Sequence, residues 1–305
     1  MKIFVSIFCY DRPDILRHSL ATIMGNAVQH DCEVLATNDG WNPEVARVLR
    51  LTQSQAHGNF SVPFNILSKS RSMGMVHSGK IALGYAITAD PQYWFLAESD
   101  YIFRMSAYET VLDVFENTEE GRMCLGIVGY DAANAYDDYH RAQIFPESMK
   151  MQVGEDNVNR SALYKSDWTP GAEGRFIELA SNTATTCYLN WRRIREIAEE
   201  FPELRGLLNQ AFDPQDNPAY PQSGYFRQLQ MIDDGMLSHA INLVWNRWAI
   251  KHGIDRDKFG AWLNIKPSLA QAVTGGGIHS GSTELHTNTL SPSWNNDDGA
   301  IFNRV

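Results

Sequence analysis

The first hundred positions alternate between two hydrophobic patterns. Residues 2–9, KIFVSIFC, form an apolar, β-rich run of strand length. YDRPD then breaks the run and sets Pro13 at a helix start, and ILRHSLATIM follows with Ile15, Leu16, Leu20 and Ile23 at helical spacing. EVLATNDGWN reads as a strand that ends in turn chemistry, Asn-Asp-Gly. PEVARVLRLTQSQ is a helix, FNILSKS a short strand, GMVHSGKIALGYAIT a helix and YWFLAESD a fourth strand. This β-α-β-α-β-α-β order predicts an α/β fold, a mostly parallel sheet with helices on its faces. Ligands of such sheets sit beyond the carboxyl ends of the strands. Glu98 and Asp100 interrupt an apolar run at such an end, where a crevice is expected and the strand need not be dry.

Beyond residue 104 the pattern loosens. SAYETVLDVFENT predicts a helix and RMCLGIVGYDA a strand. Residues 132–170 are polar and rich in Asp, Asn and Tyr, a long excursion from the core. FIELASNTATTCYLN reads as a strand or strand pair, and WRRIREIAEEFPELRGLLNQAF as a helix interrupted near Pro202. DPQDNPAYPQSG is a Pro/Asn/Gln-rich loop, and YFRQLQMIDDGMLSHAINLVWNRWAIKHG is helical for much of its length. A tail from Lys266 contains Gly275, Gly276 and Gly277.

Composition narrows the class. The chain has 305 residues, 44% hydrophobic and 20% charged, as in an ordinary soluble globular protein. A net charge of −10 works against non-specific attraction to nucleic acid. Cys9, Cys32, Cys124 and Cys187 lie far apart, without metal-ligand spacing, and read as buried thiols of a reducing compartment. No cleavage-site pattern follows the first apolar run, and no run reaches the length of a membrane span. The expectation is a cytoplasmic protein without stable membrane insertion. The sequence has no G-x-S-x-G, no H-E-x-x-H and no P-loop.

Four blocks, VSIFCYDRPDILRHSL, EVLATNDGW, FLAESD and IDDGMLSHA, stand in an order that resembles the GT-A glycosyltransferases, family 2-like members in particular. Those enzymes show a T-Y-N-R-P-like opening, a strand ending in D-D-G-S, a D-x-D and a later E-D-x-x-L-x-x-R. The resemblance covers residues 1–110 well and 175–245 loosely. It implies a GT-A-like fold in one continuous domain. Residues 1–130 would form a nucleotide-sugar-binding half. Residues 131–305 would form an acceptor-binding half with a mobile tail.

The resemblance also assigns roles. Asp100 would ligate Mn²⁺ or Mg²⁺, a hard ion that neutralises a leaving diphosphate. Glu98, a departure from the family's first Asp, would touch ribose or metal-bound water, with Ser99 beside it. Solvated strand-end acids capping the next turn are the bland alternative. Asp39 would hydrogen-bond the nucleotide base, usually uracil, and Tyr10 and Asp11 would flank that pocket. Asn38 serves equally as a turn residue, and Arg12 can simply solvate the helix start. The family's A-R-N arginine is missing, so Arg71 or Lys80 would bring positive charge to the diphosphate, unless both are solvated helix residues. Asp234 matches the catalytic base that takes the acceptor's proton in an inverting transfer. It can also serve as a helix N-cap. Asp233 replaces the family's Glu, and His239 its Arg. His279 after the glycine run, with His286 as a spare, would be a further metal ligand.

The implied activity moves a sugar, most readily from a UDP-sugar, to a hydroxyl. Trp168, Trp191, Tyr220 and Tyr225 are candidate stacking surfaces for the acceptor, a saccharide or, alternatively, a hydroxylated base of DNA. In the second case Arg192, Arg193 and Arg195 would contact phosphates. Two other classes stay open. One is a nucleotidyltransferase, against which the glycine-free CYDRPD counts. The other is a non-catalytic nucleotide-sugar-binding protein.

Overall fold

The computed structural model describes residues 2–10, 12–40, 42–69, 74–128, 165–167, 176–180, 186–202, 234–256, 258–266 and 269–272. The α/β expectation holds. The elements run β1 (Ile3–Cys9), α1 (Pro13–Ala27), β2 (Cys32–Asn38), α2 (Pro43–Gln55), one π-helical turn (Ala56–Phe60), β3 (Phe64–Ser68), α3 (Gly74–Ala89) and β4 (Tyr93–Glu98). Then follow β5 (Tyr101–Phe103), α4 (Ala107–Asn117), α5 (Glu119–Met123), β6 (Gly126–Val128), β7 (Lys165–Asp167), β8 (Phe176–Ala180) and β9 (Cys187–Leu189). The last described elements are α6 (Trp191–Glu200), α7 (Asp234–Lys251), β10 (Trp262–Lys266) and β11 (Ala270–Ala272).

One sheet of nine strands has the order β3-β2-β1-β4-β9-β6-β10-β8-β7. Pairing is parallel across β3-β2-β1-β4 and between β6 and β10. β9 runs against β4 and β6, and β8 against β10 and β7. Seven strands therefore share one direction, and β8 and β9 oppose it. The path from β1 runs outward through β2 and β3, then returns to place β4 on the other side of β1. That reversal opens a crevice at the carboxyl ends of β1 and β4.

Strand alternation sorts the core into two layers. Ile3, Val5, Ile7, Val34, Ala36 and Phe95 pack with α1, α2 and α4 on one face. Phe4, Phe8, Leu35, Trp94 and Leu96 pack with α3, α6 and α7 on the other. Ser6 interrupts that second face without stranding a polar group, because its hydroxyl accepts from Trp94 Nε1 at 2.9 Å. Leu16 and Leu20 of α1 are buried to 1% exposure, and each contributes roughly 1.5–3 kcal/mol by leaving water.

Local chemistry explains the boundaries. Pro13 fits the first turn of α1, where an N–H would lack a partner anyway. Asn42 caps α2 by accepting from the Glu44 N–H at 2.9 Å.

Several expectations change. Arg122 and Met123 belong to α5, begun by a Thr118 cap that accepts from Gly121 N–H, so the following strand starts only at Gly126. Phe176–Ala180 and Cys187–Leu189 are two strands as expected, but they pair with different partners. The sequence reading also missed two strands after α7, β10 ending where the tail begins and β11 within it, and β10 is central to the far half of the sheet. Its Trp262 stands opposite Gly126, where a Cβ would overlap the indole ring. Within the 132–170 excursion, residues 165–167 form the edge strand β7. The loop of residues 212–224 lies outside the described residues.

Candidate active site

Register brings the candidate residues to one end of the sheet. Cys9 pairs with Asn38, and Phe8 with both Thr37 and Glu98. Tyr10 and Asp39 therefore stand one position beyond adjacent strand ends. Ser99 and Asp100 form a turn directly after β4, and Tyr101–Phe103 resumes extended structure. Tyr10 is 43% exposed, so its ring is available as a surface. Glu98, Ser99 and Asp100 are each partly exposed at the strand end.

The glycine of Asn-Asp-Gly has a steric cause. A Cβ on Gly40 would overlap the Tyr10 carbonyl, so only glycine lets the two strand ends close together. Asn38 Oδ1 accepts from the Gly40 N–H at 3.3 Å, and the Asp39 N–H donates to Cys9 O at 2.8 Å. Asn38 is thus a turn residue, as one reading of it held.

Asp39 is not solvated. Lys69 Nζ donates to its Oδ1 at 2.6 Å, and the two side chains are 5% and 8% exposed. The same ammonium donates to Ser78 Oγ at 2.7 Å. Two buried charges persist only when closely paired and hydrogen-bonded. His77 stands nearby on α3, and its imidazole lies below the usual range. Burial is the first cause; Lys69 and Lys80 add repulsion of the charged form, and Asp39 opposes them. Lys80 itself is exposed on α3.

Asp100 carries its own cation. Arg12 Nη1 donates to Asp100 Oδ2 at 3.2 Å, with both side chains about a quarter exposed or less. Arg12 holds φ 144° and ψ 61° at the N-cap of α1, a region that non-glycine residues rarely enter. It therefore does more than solvate the helix start.

A polar stripe on the buried face of α1 fixes the acid turn. Ser19 Oγ donates to Tyr101 O at 2.6 Å, and Thr22 Oγ1 accepts from the Phe103 N–H at 3.1 Å. Asn26 donates to Arg104 O at 2.8 Å and accepts from the Tyr108 N–H at 3.2 Å. From the other side Thr186 Oγ1 accepts from the Glu98 N–H at 3.2 Å. β11 pairs with β5, setting Ala272 opposite Tyr101, and Arg104 N–H donates to Leu269 O at 2.9 Å. Backbone groups on both flanks of Ser99–Asp100 are thereby tied down.

The sequence reading did not single out Lys69, Ser78, Ser19, Thr22 or Asn26. The signal available for the last three was polar residues at positions 19, 22 and 26, on a helix face that also carries Leu16 and Ile23. For Lys69 it was a basic residue directly after an apolar strand.

Several candidates fall elsewhere. Asp11, Arg71, His279 and His286 lie outside the described residues, as do Trp168, Tyr220 and Tyr225. Asp234 opens α7, a helix start as expected. Trp191 is not a stacking surface: it is 3% exposed and packs edge-on against Trp94. The arginines expected to meet phosphates sit at the opposite end of the sheet, because β9 runs backwards and the Arg192 N–H bonds Gln92 O, before β4. Arg192 and Arg193 pair with Glu196, and Arg195 with Asp90.

Among the described residues no three His, Cys, Asp or Glu side chains gather as a metal-binding group. Glu98 and Asp100 nevertheless have the donor chemistry of a hard divalent ion that keeps positions for phosphate and water. In this structure Asp100 Oδ2 is paired with Arg12. No helix among the described residues is long and apolar enough to cross a membrane.

No protein-family model and no curated protein matches the chain. Solved structures do resemble it. A mannosyltransferase from Pyrobaculum calidifontis, in complex with GDP-Man and Mn²⁺, is 11% identical over 42% of this chain and 34% of its own, with a TM-score of 0.35. TarS from S. aureus is 12% identical over 42% of this chain and 35% of its own, with a TM-score of 0.34. Mouse xyloside xylosyltransferase 1, in its apo form, is 10% identical over 85% of this chain and 84% of its own, with a TM-score of 0.39. The chain spans about a third of the length of the first two. At these values no activity follows from superposition.

Proposed function

We propose that the chain is a metal-dependent glycosyltransferase that moves a sugar from a nucleoside diphosphate sugar, first of all a UDP-sugar, to a hydroxyl acceptor with inversion. One observation carries the reading. Tyr10, Asp39 and the Glu98–Ser99–Asp100 turn lie at the carboxyl ends of three neighbouring parallel strands, across the sheet's switch point. They stand there in the order of the glycosyltransferase blocks.

In this reading the Tyr10 ring offers a face to the nucleobase, and Asp39 accepts from its edge. Asp11 flanks that pocket, and Glu98 and Ser99 meet the ribose side. Asp100 holds Mn²⁺ or Mg²⁺, which when bound supplies the positive charge that lets a diphosphate leave. Arg71 and Lys80 add charge to the same region. Asp234 takes the proton of the attacking hydroxyl. His279 is a further ligand.

Thermal melting with UDP, GDP, ADP and CDP, each with and without Mn²⁺, tests the reading. A native-state ligand at about a hundredfold excess over its Kd adds roughly 2.7 kcal/mol, a rise of several degrees. One nucleotide should give that rise only with metal, and Asp100→Ala should abolish the metal-dependent part. No rise with any nucleotide removes the proposal.

A further inference from the structure

We infer that His57 is a pH-operated latch on the open edge of the sheet: as a neutral imidazole it closes the first hydrogen-bonding position of β3, and as an imidazolium it releases that position. The inference is independent of the nucleotide-sugar reading above. Its ground is a pair of contacts. His57 Nε2 accepts from the Phe64 N–H at 3.2 Å, and Gln53 Nε2 donates to Phe64 O at 2.8 Å. Side chains of α2 and of the π-helical turn that follows it thus hold both backbone groups of one strand residue.

Register shows which edge these contacts close. Among the described residues β3 ends the sheet, with β2 as its one neighbour. The Val34 N–H donates to Pro63 O, and the Lys69 N–H to Asn38 O, so the odd positions of this segment turn their backbone groups toward β2. The even positions, Phe64 first among them, turn theirs outward. An outward row of N–H and C=O groups is a template for another strand. The Phe64 ring is fully buried, so the residue stays anchored while its N–H loses its partner.

The chemistry of the ring sets the sign. A neutral imidazole has one N–H and one bare nitrogen, and only the bare nitrogen accepts; an imidazolium donates from both. Facing the Phe64 N–H, Nε2 must be bare, which places the ring proton on Nδ1. Protonation turns the acceptor into a donor aimed at a donor. The bond is therefore present at about pH 8 and lost toward about pH 5, the interval in which imidazoles take up a proton. His57 is exposed, so solvent protons reach it. The elements around it bring no charge of their own: FNILS of β3, the rest of the π-helical turn and LTQSQ at the end of α2 have none. Arg50 stands two turns back along α2. Glu33 of β2 lies on the α3 face, where Asn65 and Tyr85 donate to it. Gln53 does not titrate, so Phe64 O stays held throughout.

The test is backbone-amide hydrogen exchange by NMR between about pH 8 and about pH 5, for wild type, His57→Gln and His57→Lys, each rate divided by that of an unstructured chain at the same pH. In wild type the Phe64 amide should lose about tenfold of its protection on acidification, the effect of one hydrogen bond. His57→Gln keeps an acceptor that does not titrate, and its Phe64 protection should be flat. His57→Lys offers only donors, and its protection should be low throughout. The Val34 N–H, bonded to Pro63 O on the inner side of the strand, should hold in all three. A flat wild-type profile overturns the inference. So does an equal fall in His57→Gln, or a fall at Val34 that matches the one at Phe64. Should His57→Gln not fold, wild type decides alone: the Phe64 amide shift should titrate with the midpoint of the His57 ring signals, and a Phe64 shift that ignores that midpoint overturns the inference.

Discussion

At the scale of single residues, the site end of the sheet is assembled from positions that only one side chain suits. Gly40 is there because the Tyr10 carbonyl occupies the space of a Cβ. Gly40→Ala should lower stability by about 2 kcal/mol or more, read from a denaturant melt, since backbone cannot step aside as a side-chain tip can. Arg12 poses the opposite case, a charged side chain on a backbone that suits glycine. Arg12→Ala and Arg12→Gly both lose the contact with Asp100, so their difference isolates the backbone. Arg12→Gly should be the more stable of the two by about 1 kcal/mol. Equal stabilities would mean that φ at this position relaxes without cost.

At the scale of elements, α1 is the part that organises the acids. Its apolar positions make it a core helix, and Ser19, Thr22 and Asn26 make it a socket for the segment from Tyr101 to Tyr108. Asn26→Ala strands the buried Tyr108 N–H, while Arg104 O keeps the Ala107 N–H. It should cost roughly 1–3 kcal/mol by chemical denaturation, and it should weaken nucleotide binding through the displaced turn. Much of this layer was legible in the sequence, because strands β1 to β4 and helices α1 to α4 announce themselves by strict periodicity. The ends of those strands were legible too, since Asn-Asp-Gly and Glu-Ser-Asp break apolar runs. The far half of the sheet was not. β6, β9 and β11 span three residues each, too short for any period to register, and β10 lies in the short stretch between α7 and the tail, to which no element was assigned. Lys69 escaped notice because a lysine after a strand looks solvated until the fold encloses it beside Asp39.

At the scale of the whole molecule, burial of the thiols reports on the integrity of the fold. All four cysteines are unbridged and buried. Burial pushes Cys9 and Cys124 far above the ordinary thiol range and Cys32 up to about 12. A thiol reagent should therefore find none of the four in the native protein and all four after unfolding, since the thiolate is the reactive species. The rate of modification below the melt gives the population of open states. One fast-reacting thiol in the native state would contradict the packing described here.

The β5–β11 ribbon carries a consequence for the order in which the protein is made. Glu98 and Asp100 leave the ribosome early, together with α1 and the strands that frame them. The strand that pairs with β5 emerges only when residue 272 does. Closing so long a loop is entropically costly and slow to find. The nascent chain thus holds its acids on an unfinished sheet until residue 272 emerges, and their turn is locked by the last described element to appear. Binding competence should follow release of the tail segment rather than accumulate with chain length.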